Sequence, residues 1–230
     1  MFAVIFEVQP RKERWDDYLN LAKALKPKLE AIEGFIDNER FASKRTEGRL
    51  LSLSTWRDEK AVIRWRTQEQ HHRVQEKGRF QVFEDYHLRV GEITHDTSPP
   101  HGLKVEEKRF DETEIGTAKM VTITELVPAE GRTVGAPPDL LPVHVGLAAD
   151  AAGVIDREVF ESIYNPGKLL LLVSWRNADA AGAWQPSRPE AAVTSLRHRQ
   201  VRVIRDYGMF ERREAPQFYP AVEPGQRGGS

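Results

Sequence analysis

The chain has 230 residues, and its 34 basic and 35 acidic side chains nearly cancel to a formal charge of −1. This balance argues against a general nucleic-acid binder, whose surface is usually basic. No apolar run approaches the roughly 20 residues that a membrane-spanning helix needs, and the absence of cysteine excludes disulfides, thiolate metal sites and cysteine nucleophiles.

The spacing of apolar residues predicts the elements of the first half. The predicted strands cover residues 2–9, 35–45, 49–56 and 80–93, and the predicted helices cover 11–32 and 58–77. Pro27 should bend the first helix or end it early, and Gly78 should end the second. The order β-α-β-β-α-β is typical of a ferredoxin-like fold.

The sequence then repeats itself. Residues 34–65 and 153–184 align without a gap, and 14 of their 32 positions are identical. Both copies carry two tryptophans nine residues apart, Trp56 and Trp65 in the first and Trp175 and Trp184 in the second. The chain is therefore a tandem duplication, and the architecture has to be read as two copies of one unit.

The repeat divides the chain into two units, a linker and a tail. The predicted boundaries are 1–93 for repeat 1, 94–118 for the linker, 119–212 for repeat 2 and 213–230 for the C-terminal tail. The proline-rich and charged linker is expected to be extended or mobile, and the tail to be disordered from Ala221. Repeat 2 is divergent, because Gly182 and prolines 137, 138, 142, 186 and 189 interrupt both of its helices.

A four-stranded sheet with both helices on one face leaves its other face bare. Two copies in one chain can bury these faces against each other and enclose a shared interior. The predicted fold class is therefore α+β, with two fused ferredoxin-like repeats forming an intramolecular dimeric barrel. Strand 80–93 and its counterpart 200–212 should meet at the join.

Residues 25–41, 50–65 and 71–90 resemble the antibiotic biosynthesis monooxygenase family of dimeric α/β barrels. The resemblance covers residues 1–93 well and 119–212 in weaker form. It implies cofactor-independent oxygenation of phenolic polycyclic substrates in some members, haem degradation in others, and no assigned activity in many.

Three residues of the second predicted helix are the catalytic candidates: Trp65, His71 and His72. Trp65 matches the helix tryptophan of the family's monooxygenases and haem degraders, and a core tryptophan is the alternative. Adjacent histidines point about 100° apart on a helix, so at most one can face a pocket. His72 lies seven residues after Trp65, on the same face, and His71 lies at the edge. Either could act as a general base or an axial haem ligand; a surface pair is the alternative.

Four polar residues are the substrate-binding candidates: Asn38, Arg40, Arg79 and Tyr86. Asn38 and Arg40 lie on a strand whose alternate residues face the enclosed interior, where an arginine would suit an anionic or phenolate ligand. A solvated edge charge is the alternative for Arg40, which becomes Val159 in repeat 2. Arg79 follows the tryptophan-bearing helix. Tyr86 recurs as Tyr207, which also fits a structural role.

No cofactor or metal is expected. Phosphate-binding glycine loops, H-E-x-x-H and metal-spaced histidine–carboxylate clusters are absent from the sequence, and Gln75 stands where the family's haem degraders carry a histidine. Haem remains the alternative.

We therefore expect a cofactor-independent monooxygenase that oxidises an aromatic or polyketide-like small molecule with O₂. A non-catalytic small-molecule or haem-binding stress-response protein is the alternative. Residues 1–7 lack the basic segment of a signal peptide, so a cytoplasmic location is expected, with no nucleic-acid or membrane partner. A homodimer of the whole chain remains open.

Overall fold

The computed structural model describes residues 1–130, 140–189 and 193–222. Within them the strands are β1 (Phe2–Pro10), β2 (Phe35–Ser43), β3 (Leu50–Trp56), β4 (Phe83–Asp96), β5 (Met120–Pro128), β6 (Val154–Ser162), β7 (Leu169–Trp175) and β8 (Val193–Gly208). The helices are α1 (Trp15–Glu30), α2 (Glu59–Thr67), α3 (Glu69–Lys77), α4 (Leu141–His144) and α5 (Ala178–Gly182). No helix of these residues is both long and apolar enough to cross a membrane.

The strands form one closed antiparallel barrel in the order β1-β3-β2-β6-β7-β5-β8-β4. Each repeat supplies four neighbouring strands, β1 to β4 and β5 to β8, so the predicted α+β barrel of two ferredoxin-like repeats is confirmed. The long β4–β8 pairing, which runs from His87 opposite Gly208 to Asp96 opposite Arg199, joins the repeats on one side. A short pairing of residues 41–43 with 160–162 closes the other side.

The barrel interior is filled by apolar side chains from both repeats, including Ile5, Phe41, Leu53, Ile123, Phe160 and Leu172. Burial of this shared face is the main force that joins the repeats. Two buried arginines add polar links between them. Arg89 binds Glu7 and reaches Ser174, and Arg199 binds Glu125 and reaches Thr55.

The predicted second helix is two helices. Gln68 adopts an extended conformation, with ψ of 126°, and separates α2 from α3. Its side chain accepts a hydrogen bond of 2.7 Å from the backbone N–H of His71 and so begins α3. Helix α3 ends at Lys77 with Gly78 as its C-cap, as predicted, and a π-helical turn follows over Gly78–Val82. Of the two effects predicted for Pro27, early termination does not occur, because α1 continues to Glu30.

The linker and tail are held against the barrel. Leu103 and Val105 pack on the interior cluster, and the buried carboxylate of Glu92 accepts from the backbone N–H groups of Lys108 and Arg109 at 2.9 Å. Residues 209–222 cross to repeat 1, and the predicted disorder of the last residues concerns 223–230, which lie outside the described residues. Repeat 2 has the expected short helices, α4 and α5, whereas the prediction for prolines 137 and 138 also lies outside the described residues.

Candidate functional site

A cavity lies outside the barrel interior, between the outer face of the repeat 1 sheet and α1 to α3. Its volume is about 200 Å³. The floor comes from β1 to β4, the roof from the helices, and one wall from residues 205–219, which belong to the end of repeat 2 and the start of the C-terminal tail. The expectation that site residues face the enclosed barrel interior was therefore wrong, because apolar side chains fill that interior and the helices cover the opposite face.

Trp65 and His71 form a stacked pair that lines the cavity. Their ring centroids are 4.1 Å apart with planes inclined by 16°. His71 Nδ1 lies 2.9 Å from the backbone carbonyl of Trp65. Because a carbonyl oxygen only accepts, Nδ1 carries the proton and Nε2 keeps its lone pair. Trp65 also packs against the cluster of Phe2, Trp56 and Val62, so it is both a lining and a packing residue.

Burial lowers the pKa of His71 to about 4, against a weaker opposing effect of the hydrogen bond to Trp65. The imidazole is therefore neutral at physiological pH. A neutral imidazole with a fixed Nδ1–H offers one acceptor, Nε2, to a molecule in the cavity. This arrangement suits a hydrogen-bond acceptor or a general base.

His72 lies outside the cavity. Its ring stacks on Tyr219 at a centroid distance of 5.7 Å and is exposed. The sequence favoured His72 because one continuous helix would place it beneath Trp65. The extended residue Gln68 breaks that helix and shifts the phase of α3, which turns His71 to the cavity instead.

Arg40 and Asn38 line the floor at the β2 edge. The Arg40 guanidinium donates to the Tyr164 hydroxyl at 3.2 Å, and Tyr164 comes from the β6–β7 hairpin of repeat 2. The Asn38 amide donates to Ser52 Oγ and the Leu53 carbonyl at 3.1 and 3.0 Å. Arg40 therefore faces the helix side of the sheet, and it is neither inside the barrel nor a solvated edge charge.

Arg79 and Tyr86 also line the cavity. Arg79 is 2% exposed and donates to the backbone carbonyl of Met209 at 2.6 Å and of Pro220 at 3.2 Å. Tyr86 accepts hydrogen bonds from Arg79 and Arg212. Residues 209–222, here called the C-terminal segment, are thus held against repeat 1 by Arg79 and Tyr86, two side chains that the sequence assigned to substrate binding.

Several lining residues escaped the sequence analysis: Tyr18, Ser52, Ser54, Arg212, Gln217 and Tyr219. The sequence of the tail could have indicated an ordered segment, because arginine and aromatic residues are atypical of disordered sequence. The serines of β3 could have indicated the cavity, since Leu171 and Val173 replace Ser52 and Ser54 in repeat 2. The structure brings Trp65, His71, Asn38, Arg40, Arg79 and Tyr86 to one cavity and leaves out His72.

The described residues contain no group of three or more histidine and carboxylate side chains arranged to hold a metal ion. His71 is the lining side chain that could offer an axial nitrogen to a haem, through Nε2.

The chain is 39% identical over 224 residues to jasmonate monooxygenase ABM of Pyricularia oryzae (strain 70-15), covering 96% of this chain and 99% of that protein. The chain belongs to the antibiotic biosynthesis monooxygenase family. The model of this family matches residues 1–77, the part of repeat 1 that contains the Trp65–His71 pair.

One of the similar solved structures supports the fold, and the fold alone. An aldoxime dehydratase superposes with a TM-score of 0.54 at 11% identity, covering 88% of this chain and 81% of that chain. A solved antibiotic biosynthesis monooxygenase covers 39% of this chain and 95% of its own, with a TM-score of 0.36 and 19% identity.

Proposed function

We propose that this protein is a monooxygenase that oxidises a small, mostly apolar molecule with O₂ in the cavity of repeat 1, without a bound cofactor. The observation that carries the proposal is the Trp65–His71 pair, which holds a neutral imidazole acceptor in a largely apolar cavity. Membership of a monooxygenase family supports the reaction class.

In this proposal His71 Nε2 takes a proton from an acidic C–H or O–H group of the substrate. Burial disfavours a charged imidazole, but the substrate anion formed beside it stabilises the imidazolium, since an opposite charge nearby raises a histidine pKa. Trp65 fixes the ring plane, and the hydrogen bond to its carbonyl fixes the tautomer. The apolar walls keep water from the carbanion.

The electrons come from the substrate. The carbanion reduces O₂ and combines with it to give a hydroperoxide, which loses water as a second C–H bond breaks and leaves a carbonyl group. The balance is R₂CH₂ + O₂ → R₂C=O + H₂O, with no external reductant. An anthrone-type aromatic, whose bridging CH₂ is acidic, fits this scheme.

The relative from Pyricularia oryzae is named for jasmonate, which makes jasmonate the second substrate to test. Hydroxylation of a non-acidic alkyl C–H group consumes two electrons from outside the substrate. The need for a reductant such as NADPH therefore separates this chemistry from the base-initiated reaction.

The test is O₂ consumption by the purified, metal-free protein with anthrone, a hydroquinone or jasmonate, each with and without NADPH. We expect reductant-independent uptake that falls at least about 100-fold in His71→Ala and is unchanged in His144→Ala, an exposed histidine of repeat 2. Uptake only with NADPH would contradict the base mechanism. Binding without uptake would favour a non-catalytic binding protein, and a Soret shift with haemin that His71→Ala abolishes would favour haem.

A further inference from the structure

Positive charge is concentrated around Tyr86 and Tyr207, which line the cavity. Arg79 and Arg212 donate to the Tyr86 oxygen, and Arg66, Arg205 and Arg212 interact electrostatically with Tyr207. These four arginines also line the cavity and are here called the arginine corner. None of the four forms an ion pair with a carboxylate of residues 1–130, 140–189 or 193–222. Glu59 is the acidic side chain that lines the cavity, and it is paired with Arg109 at 2.5 Å.

Arg79 is the most buried member of the corner. At 2% exposure its guanidinium has backbone carbonyls, the Tyr86 oxygen and the Met209 sulfur as acceptors, and its Nε–H has no partner in the described structure. Removing a cation from water without a counter-charge is unfavourable. The corner is therefore electrostatically incomplete as it stands.

The hydrogen bonds of Tyr86 indicate where an acceptor group of a ligand would bind. Its oxygen accepts from Arg212 Nη1 at 2.6 Å and from Arg79 Nη1 at 3.3 Å. Neither guanidinium can accept, so the phenolic hydrogen must be donated elsewhere. No acceptor for it occurs in the described part of the chain, and Tyr86 lines the cavity. Its O–H, polarised by two guanidinium groups, is available to an oxygen of a bound molecule.

The surroundings restrict what that molecule is. Tyr207 closes the corner from β8, and burial raises its pKa to about 12, so it stays neutral and adds no negative charge. Between this corner and Arg40 the cavity is lined by apolar side chains such as Phe6, Leu25 and Leu88. Two strands, β3 and β1, lie between β2 and β4, which places Arg40 and Tyr86 on strands about 14 Å apart across the sheet. The ligand that fits has an apolar body and one anionic end.

We propose that the arginine corner is a carboxylate subsite: the substrate is an amphiphilic carboxylic acid whose carboxylate accepts the Tyr86 O–H and lies against Arg79 and Arg212. Charged hydrogen bonds in a poorly hydrated corner are strong. Arg212 belongs to the C-terminal segment, so repeat 2 determines the substrate class of the repeat 1 cavity. This inference rests on the proposed function in naming the substrate of that cavity, and ligand binding tests it separately from turnover.

The experiment is anaerobic calorimetric titration of the full chain with two acid–ester pairs, jasmonate with methyl jasmonate and nonanoate with methyl nonanoate. Each pair shares its apolar body and differs in charge. We expect at least one acid to bind about 10- to 100-fold more tightly than its ester. Tyr86→Phe and Arg212→Gln should each remove most of that preference. Arg73→Gln, which alters an exposed arginine of α3 paired with Glu69, should retain it.

The ratio of acid to ester affinity decides the outcome. Equal weakening of acid and ester in Tyr86→Phe and Arg212→Gln would indicate that the residues only hold the C-terminal segment, and it would overturn the subsite. Equal affinity of acid and ester for the unsubstituted protein in both pairs would overturn the subsite and leave the proposed oxygenase intact. Arginine-dependent acid binding without O₂ uptake would support the subsite and contradict the oxygenase.

Discussion

The two repeats share one sheet design, yet the cavity lined by Trp65 and His71 lies over the sheet of repeat 1. Helix α2 and its counterpart α5 begin with the same cap, since Asp58 and Asn177 each accept from a backbone N–H three residues later. Helices α1 to α3 are 16, nine and nine residues long, whereas α4 and α5 have four and five. Long helices can roof a cavity, and short ones leave the sheet to be covered by packed side chains.

The sheet surface beneath the helices also differs between the repeats, in the size and polarity of its side chains. Ser52, Ser54 and Arg40 of repeat 1 correspond to Leu171, Val173 and Val159 of repeat 2. The repeat 2 residues are buried in a cluster with Trp175 and Trp184. Small polar side chains leave room above the sheet, and branched apolar ones fill it. This face of the sheet therefore borders a cavity in repeat 1 and is filled by core side chains in repeat 2.

The buried histidines sharpen the contrast. Burial lowers the pKa of both His71 and His198 to about 4. His71 lines the cavity, whereas His198 is 0% exposed, bonded through Nδ1 to Thr124 Oγ1 and packed edge-to-face on Trp184. The same titration behaviour therefore belongs to a cavity-lining residue in one repeat and to a packed core residue in the other.

The largest expected effect concerns the histidine that only repeat 1 presents to a cavity. His71→Ala should lower turnover at least about 100-fold, because the acceptor Nε2 is lost, while His72→Ala should change it less than about threefold. Steady-state O₂ uptake measures both. A larger loss in His72→Ala than in His71→Ala would contradict the assignment.

The tryptophans should separate activity from stability. Trp184→Ala should cost about 3–5 kcal/mol of unfolding free energy, because the indole is buried in core, and leave turnover per folded molecule unchanged. Trp65→Ala should cost about 1–2 kcal/mol but lose most activity with the stacking partner of His71. Denaturant unfolding and O₂ uptake check the pair; equal stability losses would contradict the contrast.

A third pair of residues, two glycines at equivalent positions, tests a turn that both repeats share. Gly34 and Gly153 have φ of +92° and +83°, and an added Cβ would lie 2.7 Å from Ala61 Cβ and 2.4 Å from Ala180 Cβ. Gly34→Ala and Gly153→Ala should each cost about 1–3 kcal/mol. Gly102→Ala is the control, since its φ is also positive but its surroundings are open. Chemical denaturation should rank it as the mildest.

The smallest expected effect is in the pH profile. Because burial lowers the His71 pKa to about 4, kcat/KM should stay flat from pH 8 to about 5 and fall tenfold per unit below about 4. In the unfolded chain His71 takes up a proton near its ordinary pKa of about 6.5, whereas in the folded protein it does so only near pH 4. The contribution of His71 to the free energy of unfolding is therefore fully present above about pH 6.5 and is lost as the pH falls from 6.5 towards 4. Initial rates across this range test it; a midpoint near 6.5 would indicate an exposed base.

The sequence alone determined the backbone plan of this protein. Alternation of apolar and polar residues, turn glycines and the 119-residue repeat encode strands, hairpins and caps through local interactions. Each repeat leaves one apolar sheet face uncovered, and the two faces are buried by packing against each other. The predicted strands of repeat 1 match β1 to β4 within three residues at each end. Cavity residues such as Trp65 and Tyr86 were found because family resemblance and polar character mark them locally.

Only the tertiary structure decided which side chains reach the cavity and which face holds it. One extended residue, Gln68, shifts the phase of α3 and exchanges the roles of His71 and His72, a change that periodicity extrapolated from Trp65 cannot detect. The C-terminal segment is fixed through contacts between residues more than 120 positions apart, such as Arg79 with Met209 and Arg212 with Tyr86. Such contacts depend on barrel closure, which local sequence does not encode.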